Sequence, residues 1–501
     1  MILEEASTPP RRPVHKWIRL ALGVTLLVGL AVVARHSVLR GRALQRTAPE
    51  IFLGAAPLVG RNFRDGWDWR FNPTQLIAAG FVIVVAASWW SGWWLRARTG
   101  LIIGASAVGA GLFAVVLALT DGRDGLLHGA ADKSEYFANL GKTPDAGKFV
   151  SSFLRRISLY SVHVRGHPPG FTVLLKFIDA IGLHGVWPVV GLSVLGTVLL
   201  PIGVLLTVRT VVDERTMRSS APFLIVAPYS IWMMTSADAL YTGAGACGIA
   251  LIVVGTRTTG RRAVLCGLSG GLLLGADLYG TYLVALLFVV PSICLAASLR
   301  SHRGGTLAAG AAAMVGGLVV VGLYKWSGFW WFDGVDQTKR EYWAGSAQFR
   351  TWGYFGIANL IVAVIAVGPA SVVGAWRLRN RRLWLLVGAG LTALAISHLS
   401  QYTKGEVERI WLLFYPWIAL AGAGLAGAGR AGTGRAGTGL AGAGRARPDL
   451  ENPLVEGILV ANSDGERPIL QPERGDRSAA IWIAIQGGAA IVLQAALLTK
   501  W

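Results

Sequence analysis

The stretch DGRDGLLHGAADKSEYFANLGKTPDAGKFVSSFLRRISLYSVHVRGHPPG, Asp121–Gly170, is the longest polar interruption ahead of the C-terminal tail in a chain otherwise built of long apolar runs. It gathers acids, histidines, bases and a Pro-Pro step in one place. Its flanks decide the fold. Apolar runs of about 17 to 23 residues recur on both sides, each long enough to cross about 30 Å of hydrocarbon as a helix. Hydrocarbon offers no partner to a backbone N–H or C=O, so a spanning segment must satisfy its own, as a helix does. The expected fold is therefore all-α, a polytopic transmembrane bundle of about 13 spans. Residues 121–186 form its large extracytoplasmic first core loop, carrying amphipathic helices.

Composition excludes a soluble fold. Of 501 residues, 53% are hydrophobic and 15% charged, too few polar groups to cover one apolar core in water. The 65 glycines suit close helix packing. Many of the 20 tryptophans sit at the ends of runs, as in WWSGWW (Trp89–Trp94) and FWWF (Phe329–Phe332), where an interfacial belt belongs. Cys247, Cys266 and Cys294 lie inside apolar runs without metal-ligand spacing and read as small buried hydrophobes. Neither a metal site nor a cofactor is expected. The net charge of +20 gathers largely in short loops, so it reports topology, and no nucleic-acid partner is expected.

Spans are expected near 17–34, 74–95, 101–120, 187–208, 222–238, 240–256, 263–279, 281–298, 306–325, 353–375, 383–398, 410–429 and 479–499. The first lacks a small-residue cleavage site and reads as a signal anchor. Residues 1–100 then form an N-terminal tail with two spans, 101–429 the core, 430–478 a low-complexity cytoplasmic linker and 479–501 a last span. Alternate connections carry arginines: Arg96 and Arg98; Arg209, Arg215 and Arg218; Arg257, Arg261 and Arg262; Arg300 and Arg303; Arg377 to Arg382. The positive-inside rule makes those connections cytoplasmic, the N-terminus inside and the C-terminus outside. The seven arginines of the 35–73 loop run against this assignment.

In the outer loop Phe149, Phe153 and Ile157 recur at helical spacing while Arg155 and Arg156 point elsewhere, the pattern of an amphipathic interfacial helix. The segment 171–183 is apolar, too short to span and broken by Lys176 and Asp179, so it belongs at the outer interface as well.

The acids Asp121, Asp124, Asp132 and Glu135 follow an outward-running span. A carboxylate partly desolvated at a membrane surface is suited to take a proton from an acceptor hydroxyl. Asp121 and Asp124 have glycine neighbours and suit turns. Asp132 and Glu135, the latter beside Tyr136, remain as candidate bases. In HVRGHPPG, His163, Arg165 and His167 are candidate phosphate contacts or parts of a turn into the next helix, which the Pro-Pro step starts. In KGEVERIWLLFYP (Lys404–Pro416), Lys404, Glu406, Glu408 and Arg409 sit where unpaired buried charge is costly. They must be paired with one another, hydrated or bound to a ligand, and Arg409 has the planar fork that suits a phosphate. Asp238 and Asp277 fall at outer ends of spans, where they either line the same cavity or cap helices. The aromatics of 326–352 with Lys339, Arg340 and Arg350 suit interface anchoring or a second wall of the cleft.

An acid after the first outward core span, amphipathic helices in the first large outer loop and a His-Pro-Pro opening the next hydrophobic helix resemble the GT-C superfamily of polytopic glycosyltransferases. That superfamily includes protein O-mannosyltransferases and aminoarabinose transferases. The segment Lys404–Pro416 is similar to one found in actinobacterial membrane proteins of this type, mannosyl- or arabinosyl-type transferases that use polyprenyl-phosphate sugars. The resemblance covers roughly 101–425. Two N-terminal spans are additional, and Asp132 and Glu135 are not the adjacent Asp-Glu pair of the family.

The resemblance implies a plasma-membrane enzyme that moves a sugar from a polyprenyl-phosphate donor to a glycan, lipid or protein acceptor on the extracytoplasmic side, with an acid of the first loop as base: Glu135, which precedes Tyr136 where the family places an acid-aromatic step, and Asp132 as second choice. The rival expectation is a transporter or flippase of a lipid-linked substrate. It is less favoured because the charges gather at span ends and no internal duplication is visible.

Overall fold

The computed structural model describes residues 14–48, 69–426 and 476–496; the expected linker 430–478 lies almost wholly outside them. Among the described residues the fold is all-α, with no strand. The helices used below are α1 (Val14–Thr47), α2 (Thr74–Trp90), α3 (Thr99–Ala118), α4 (Gly170–Ala180), α5 (Trp187–Val211), α6 (Glu214–Ile225), α7 (Asp238–Gly255), α8 (Gly260–Leu278), α9 (Val289–Ser298), α10 (Arg303–Trp326), α11 (Trp331–Ala344), α12 (Trp352–Val367), α13 (Pro369–Arg377), α14 (Arg381–Leu399) and α15 (Arg477–Ala496). Six of them, α3, α5, α7, α10, α14 and α15, are long and apolar enough to cross a membrane, and α12 with α13 makes a seventh if that bent pair is one span. Helix α10 turns Leu307, Met314, Leu318 and Leu323 outward, a surface suited to lipid.

Small residues set the packing of the central helices. Gly203 of α5 lies so close to α7 that a Cβ there would stand 2.3 Å from the Ala246 carbonyl carbon. A Cβ on Gly271 of α8 would stand 2.0 Å from the Ala313 oxygen of α10. Without a hydrophobic drive between helices in lipid, such backbone contact supplies the dispersion that holds them together.

Several expected spans are not regular helices. The 222–238 span is α6 followed by an irregular stretch with a 3₁₀ turn at Pro228–Trp232, because proline drives Ala227 to an extended ψ of 142°. The 410–429 span is short turns around Tyr415–Ala419 and a 3₁₀ stretch, Leu420–Ala426. The 281–298 span is helical throughout only over α9, after a short turn at Val284–Leu287. Non-helical backbone is tolerated at membrane depth where protein covers it, and residues 221–239 and 411–423 are buried throughout. The 353–375 span bends by 87° between α12 and α13. Gly368 takes φ +82° at the bend, and the buried Gln486 of α15 accepts from the Ala370 amide at 2.9 Å and donates to the Val367 carbonyl at 2.8 Å.

Two of the arginines that alternate along the sequence, Arg218 and Arg257, tie helix ends together at one end of the bundle. Arg218 pairs with Glu214 and donates to the carbonyls of Trp94, Leu95 and Ala97, while Arg257 donates to Thr210 O at 2.9 Å. At the opposite end Arg70 pairs with Asp121, which also accepts from Gln494 of α15 at 3.1 Å. Asp121 is thus a clasp between helix ends. The connections 121–186, 326–352 and 400–409 all meet at this second end, where Glu135, Arg165 and Arg409 make their pairs.

Candidate active site

The site is assembled by three segments far apart in sequence. The first is 132–139. Asp132 accepts from the Ser134 amide at 2.7 Å, an Asx turn that also engages the Ser134 hydroxyl, and Glu135 N bonds back to Asp132 O at 3.0 Å. Asn139 donates to Glu135 O at 2.8 Å and accepts from the Ser161 amide at 3.0 Å, clamping this turn to the second segment, 161–170. That segment ends in Pro168-Pro169 and the start of α4, where Gly170 donates to Tyr279 O at 2.8 Å. A Cβ at Gly170 would lie 2.4 Å from that oxygen, so this approach admits glycine alone.

The third segment, 400–409, is strained. Gln401 and Glu406 hold φ of 63° and 59°, the only positive values at non-glycine residues among the described residues, and Gly405 has φ 89°. Surrounding bonds fix it. Arg350, 5% exposed, donates to Lys404 O and pairs with Glu406 at 3.2 Å. Asn359 of α12 donates to Thr403 O at 2.6 Å and accepts from the Gly405 amide, and Tyr342 OH receives the Lys404 amide at 2.9 Å.

Arg409 is the hub. Its Nη1 donates to Glu135 Oε1 at 2.9 Å, its Nη2 meets His163 Nε2 at 3.0 Å and its Nε lies 3.2 Å from Asp238 Oδ2. The Glu135 and Arg409 side chains are each 4% exposed. His163 Nδ1 also contacts Glu135 Oε1. A guanidinium only donates, so the His163 Nε2 facing it accepts and the ring proton sits on Nδ1, toward Glu135. Both partners therefore take the same carboxylate oxygen. Among the described residues Glu135 Oε2 has no hydrogen-bond partner.

Burial opposes ionisation of Glu135, but His163, Arg409 and His167 outweigh it and hold its carboxyl below the usual 4.5. Glu406 is likewise held low against its burial by Arg350 and Arg409. Burial keeps His167 below 6.5, and its Nδ1 donates to His163 O at 2.8 Å. Arg409 stays charged, because Glu135 and Asp238 outweigh its own desolvation.

The structure thus brings together Glu135, His163, Arg409 and Asp238, with His167 and Glu406 beside them. Asp238 is no helix cap. It sits in the first turn of α7 and accepts from Ser236 Oγ at 2.6 Å while facing Arg409. Asp277 is not a cap either: it lies in the last turn of α8, its carboxylate buried against Gly245, with no hydrogen-bond partner for Oδ2 among the described residues. Arg165 turns away and pairs with Glu341 of α11 at 3.0 Å. Lys404 stacks over Trp343. Glu408 is fully buried, within electrostatic reach of Tyr415. Phe149, Phe153 and Ile157 are buried as their spacing requires, yet the helix is split into Ala146–Ser152 and a 3₁₀ turn, Leu154–Leu159. They pack with Tyr160 and Phe329, so this face covers the core and not the headgroups.

Sequence reasoning passed over Asn359 and Ser236, and it placed Arg350 on an outer wall although it braces the loop from inside. Asn359 carried a signal, being the one amide inside the apolar run of α12. No group of three or more potential metal ligands occurs among the described residues. No family model, curated protein or solved structure matches this chain.

Proposed function

We propose that this chain is a membrane glycosyltransferase that moves a sugar from a polyprenyl-phosphate donor to an acceptor on the extracytoplasmic side, with Glu135 as the general base. The observation that carries the reading is the asymmetric grip on Glu135. His163 and Arg409 hold Oε1, keep the carboxylate ionised and orient it, while Oε2 remains for the acceptor proton. The acceptor oxygen then attacks the anomeric carbon and the bond to the phosphate oxygen breaks. As the proton arrives on Oε2, Glu135 loses its charge and its hold on Arg409. Asp238 and His163 still hold the guanidinium in place, and its charge, no longer balanced by Glu135, then favours the phosphate as it departs with its negative charge.

General-base assistance is worth on the order of a hundred- to ten-thousand-fold. Glu135→Gln in purified, reconstituted protein should lower transfer at least about a hundredfold with little loss of donor binding. Transfer near the parent rate would remove Glu135 from the reaction and pass the question to Asp132→Asn.

The orientation is tested separately. Gly141 is exposed in the 121–186 loop with nothing crowding it, and Ser301 is exposed at the arginine-rich end. A cysteine at 141 should react with an impermeant thiol reagent in intact cells, and one at 301 should not; the reverse pattern would invert the protein in the membrane.

One observation favours the flippase reading: the buried irregular segments 226–237 and 407–426 resemble the broken helices of transporters. Reconstituted protein that moves a lipid-linked sugar across vesicles equally well with and without the Glu135→Gln substitution would decide for it.

A further inference from the structure

A second set of charged groups stands beside the Glu135–Arg409 cluster. Lys404 is 6% exposed and no carboxylate lies within ion-pair distance of it among the described residues. Its ammonium sits 4.4 Å above the centre of the Trp343 ring. One turn before Trp343 on α11, Lys339 places its ammonium 5.6 Å above the ring of Tyr402, and it too forms no ion pair among the described residues. The Trp343 and Tyr402 rings are 6.4 Å apart and inclined by 70°. They are 38% and 40% exposed, at the end of the bundle that carries Glu135 and Arg409.

The Lys404 backbone is held in place. The Lys404 amide is bonded to Tyr342 OH at 2.9 Å and its carbonyl to Arg350, so the residue cannot follow its ammonium into solvent. Burial, then the charge of Arg350, lowers the Lys404 pKa from its ordinary value, which marks a cation kept in the protein without an acid of its own. A bound anion would offset that cost. The parts of the Trp343 and Tyr402 rings that stay exposed around the two ammoniums add a second preference. The negative face of a ring attracts weakly positive C–H bonds, and one side of a sugar ring is a row of such bonds. An anion alone would use only the lysines, and a neutral sugar only the rings.

We propose that Lys404, Lys339, Trp343 and Tyr402 form the acceptor-docking site, and that the acceptor is an anionic saccharide. The inference rests on the transferase reading, in which an acceptor must approach Glu135, and Lys404 lies only five residues before Arg409 in the same loop. The anionic saccharide is either a water-borne glycan or the headgroup of a glycolipid; both present the same chemistry.

Calorimetric titration of the full-length protein in phosphatidylcholine nanodiscs with mannose 6-phosphate, mannose and inorganic phosphate tests this without turnover. Mannose 6-phosphate should bind at least about tenfold more tightly than either of the others. Lys404→Gln should lower its affinity about tenfold or more, since a bond to a buried charge is lost. Lys404→Arg should restore most of it. Lys339→Gln, at an exposed position that cannot disturb folding, should lower it by only a few-fold. Trp343→Leu should weaken mannose 6-phosphate and mannose alike. Mannose 6-phosphate binding no better than mannose, or binding unchanged by both lysine substitutions, overturns the site. Repeating the titration in nanodiscs containing sulfatide, an anionic glycolipid, with phosphatidylglycerol nanodiscs as the charge control, separates the sources: competition by sulfatide beyond that of the control assigns the site to a glycolipid headgroup, and binding equal to the control to a water-borne glycan. Failure here with an intact Glu135→Gln effect removes the acceptor site alone, and the converse result removes the base alone.

Discussion

At the arginine-rich end, Arg218 holds Glu214 at 2.6 Å and binds three backbone carbonyls, with the acid side chain 41% exposed. At the other end, Arg409 holds Glu135 at 2.9 Å with both side chains 4% exposed. The chemistry is the same and the surroundings are not. An ion pair to an exposed acid is screened by water and contributes up to about 1 kcal/mol, so Glu214 is one weak stitch beside the backbone bonds by which the 12%-exposed Arg218 closes helix ends. A buried pair gives little net stability, because desolvation cancels most of the attraction, but removing one partner strands a charge. Replacing a buried charged cluster by well-packed apolar side chains is often neutral or stabilising, so stability alone does not require Glu135, Asp238 and Arg409. Their presence at one end and not the other points to a use for the charge.

The largest expected contrast is in stability. Arg409→Ala leaves Glu135 and Asp238 buried without their common cation and should cost about 3–5 kcal/mol, read as loss of folded protein in a denaturant titration in detergent. Glu214→Gln should cost under about 1 kcal/mol in the same titration. Equal losses would mean that the buried site is as well hydrated as the Arg218–Glu214 pair. Next comes turnover. Glu135→Gln should fall at least about a hundredfold, while Glu214→Gln should transfer sugar at the parent rate. A comparable fall for Glu214→Gln would show that both acids act through the fold, and the contrast between the two ends would be lost.

How far the sequence could be read follows the same division. Helices α3, α5, α7, α10, α14 and α15 are uniform apolar runs with charge only near their ends, and hydropathy alone locates them. The stretches 226–237 and 407–426 are equally apolar but not helical over their length, since neighbouring protein covers backbone that lipid could not. Ala227-Pro228 was a visible warning there. Glu135, His163, His167 and Arg409 stood out as charged or titratable groups among apolar ones, and the fold gathers them. Their pairing was not legible: Glu135 and Arg409 are separated by 274 positions, and nothing local to either says which acid an arginine will meet. For the same reason Arg165 was grouped with its sequence neighbours, whereas its partner is Glu341.

The smallest effect expected is a pH dependence of stability that separates the two ends. Glu135 lies below its ordinary 4.5 in the folded protein, so the unfolded chain takes up a proton there first. Its stabilisation is present above about 4.5 and is lost as pH falls through the lower, folded value. Glu406 behaves in the same way. His167, kept below 6.5 by burial, adds an earlier decline: as pH drops past 6.5 the unfolded state binds a proton that the folded state refuses. Glu214 is also lowered, first by the Thr99 hydroxyl and then by Arg218, but solvent screens a side chain that is 41% exposed. The thermal midpoint in detergent should therefore be level above pH 6.5, fall gently to 4.5 and fall more steeply below. His167→Phe should flatten the first decline and Glu135→Gln should blunt the second, while Glu214→Gln should leave both nearly as they were. If Glu214→Gln blunts the acid decline as much as Glu135→Gln does, burial is not what distinguishes the two pairs, and the charge at the Arg409 end needs no function to explain it.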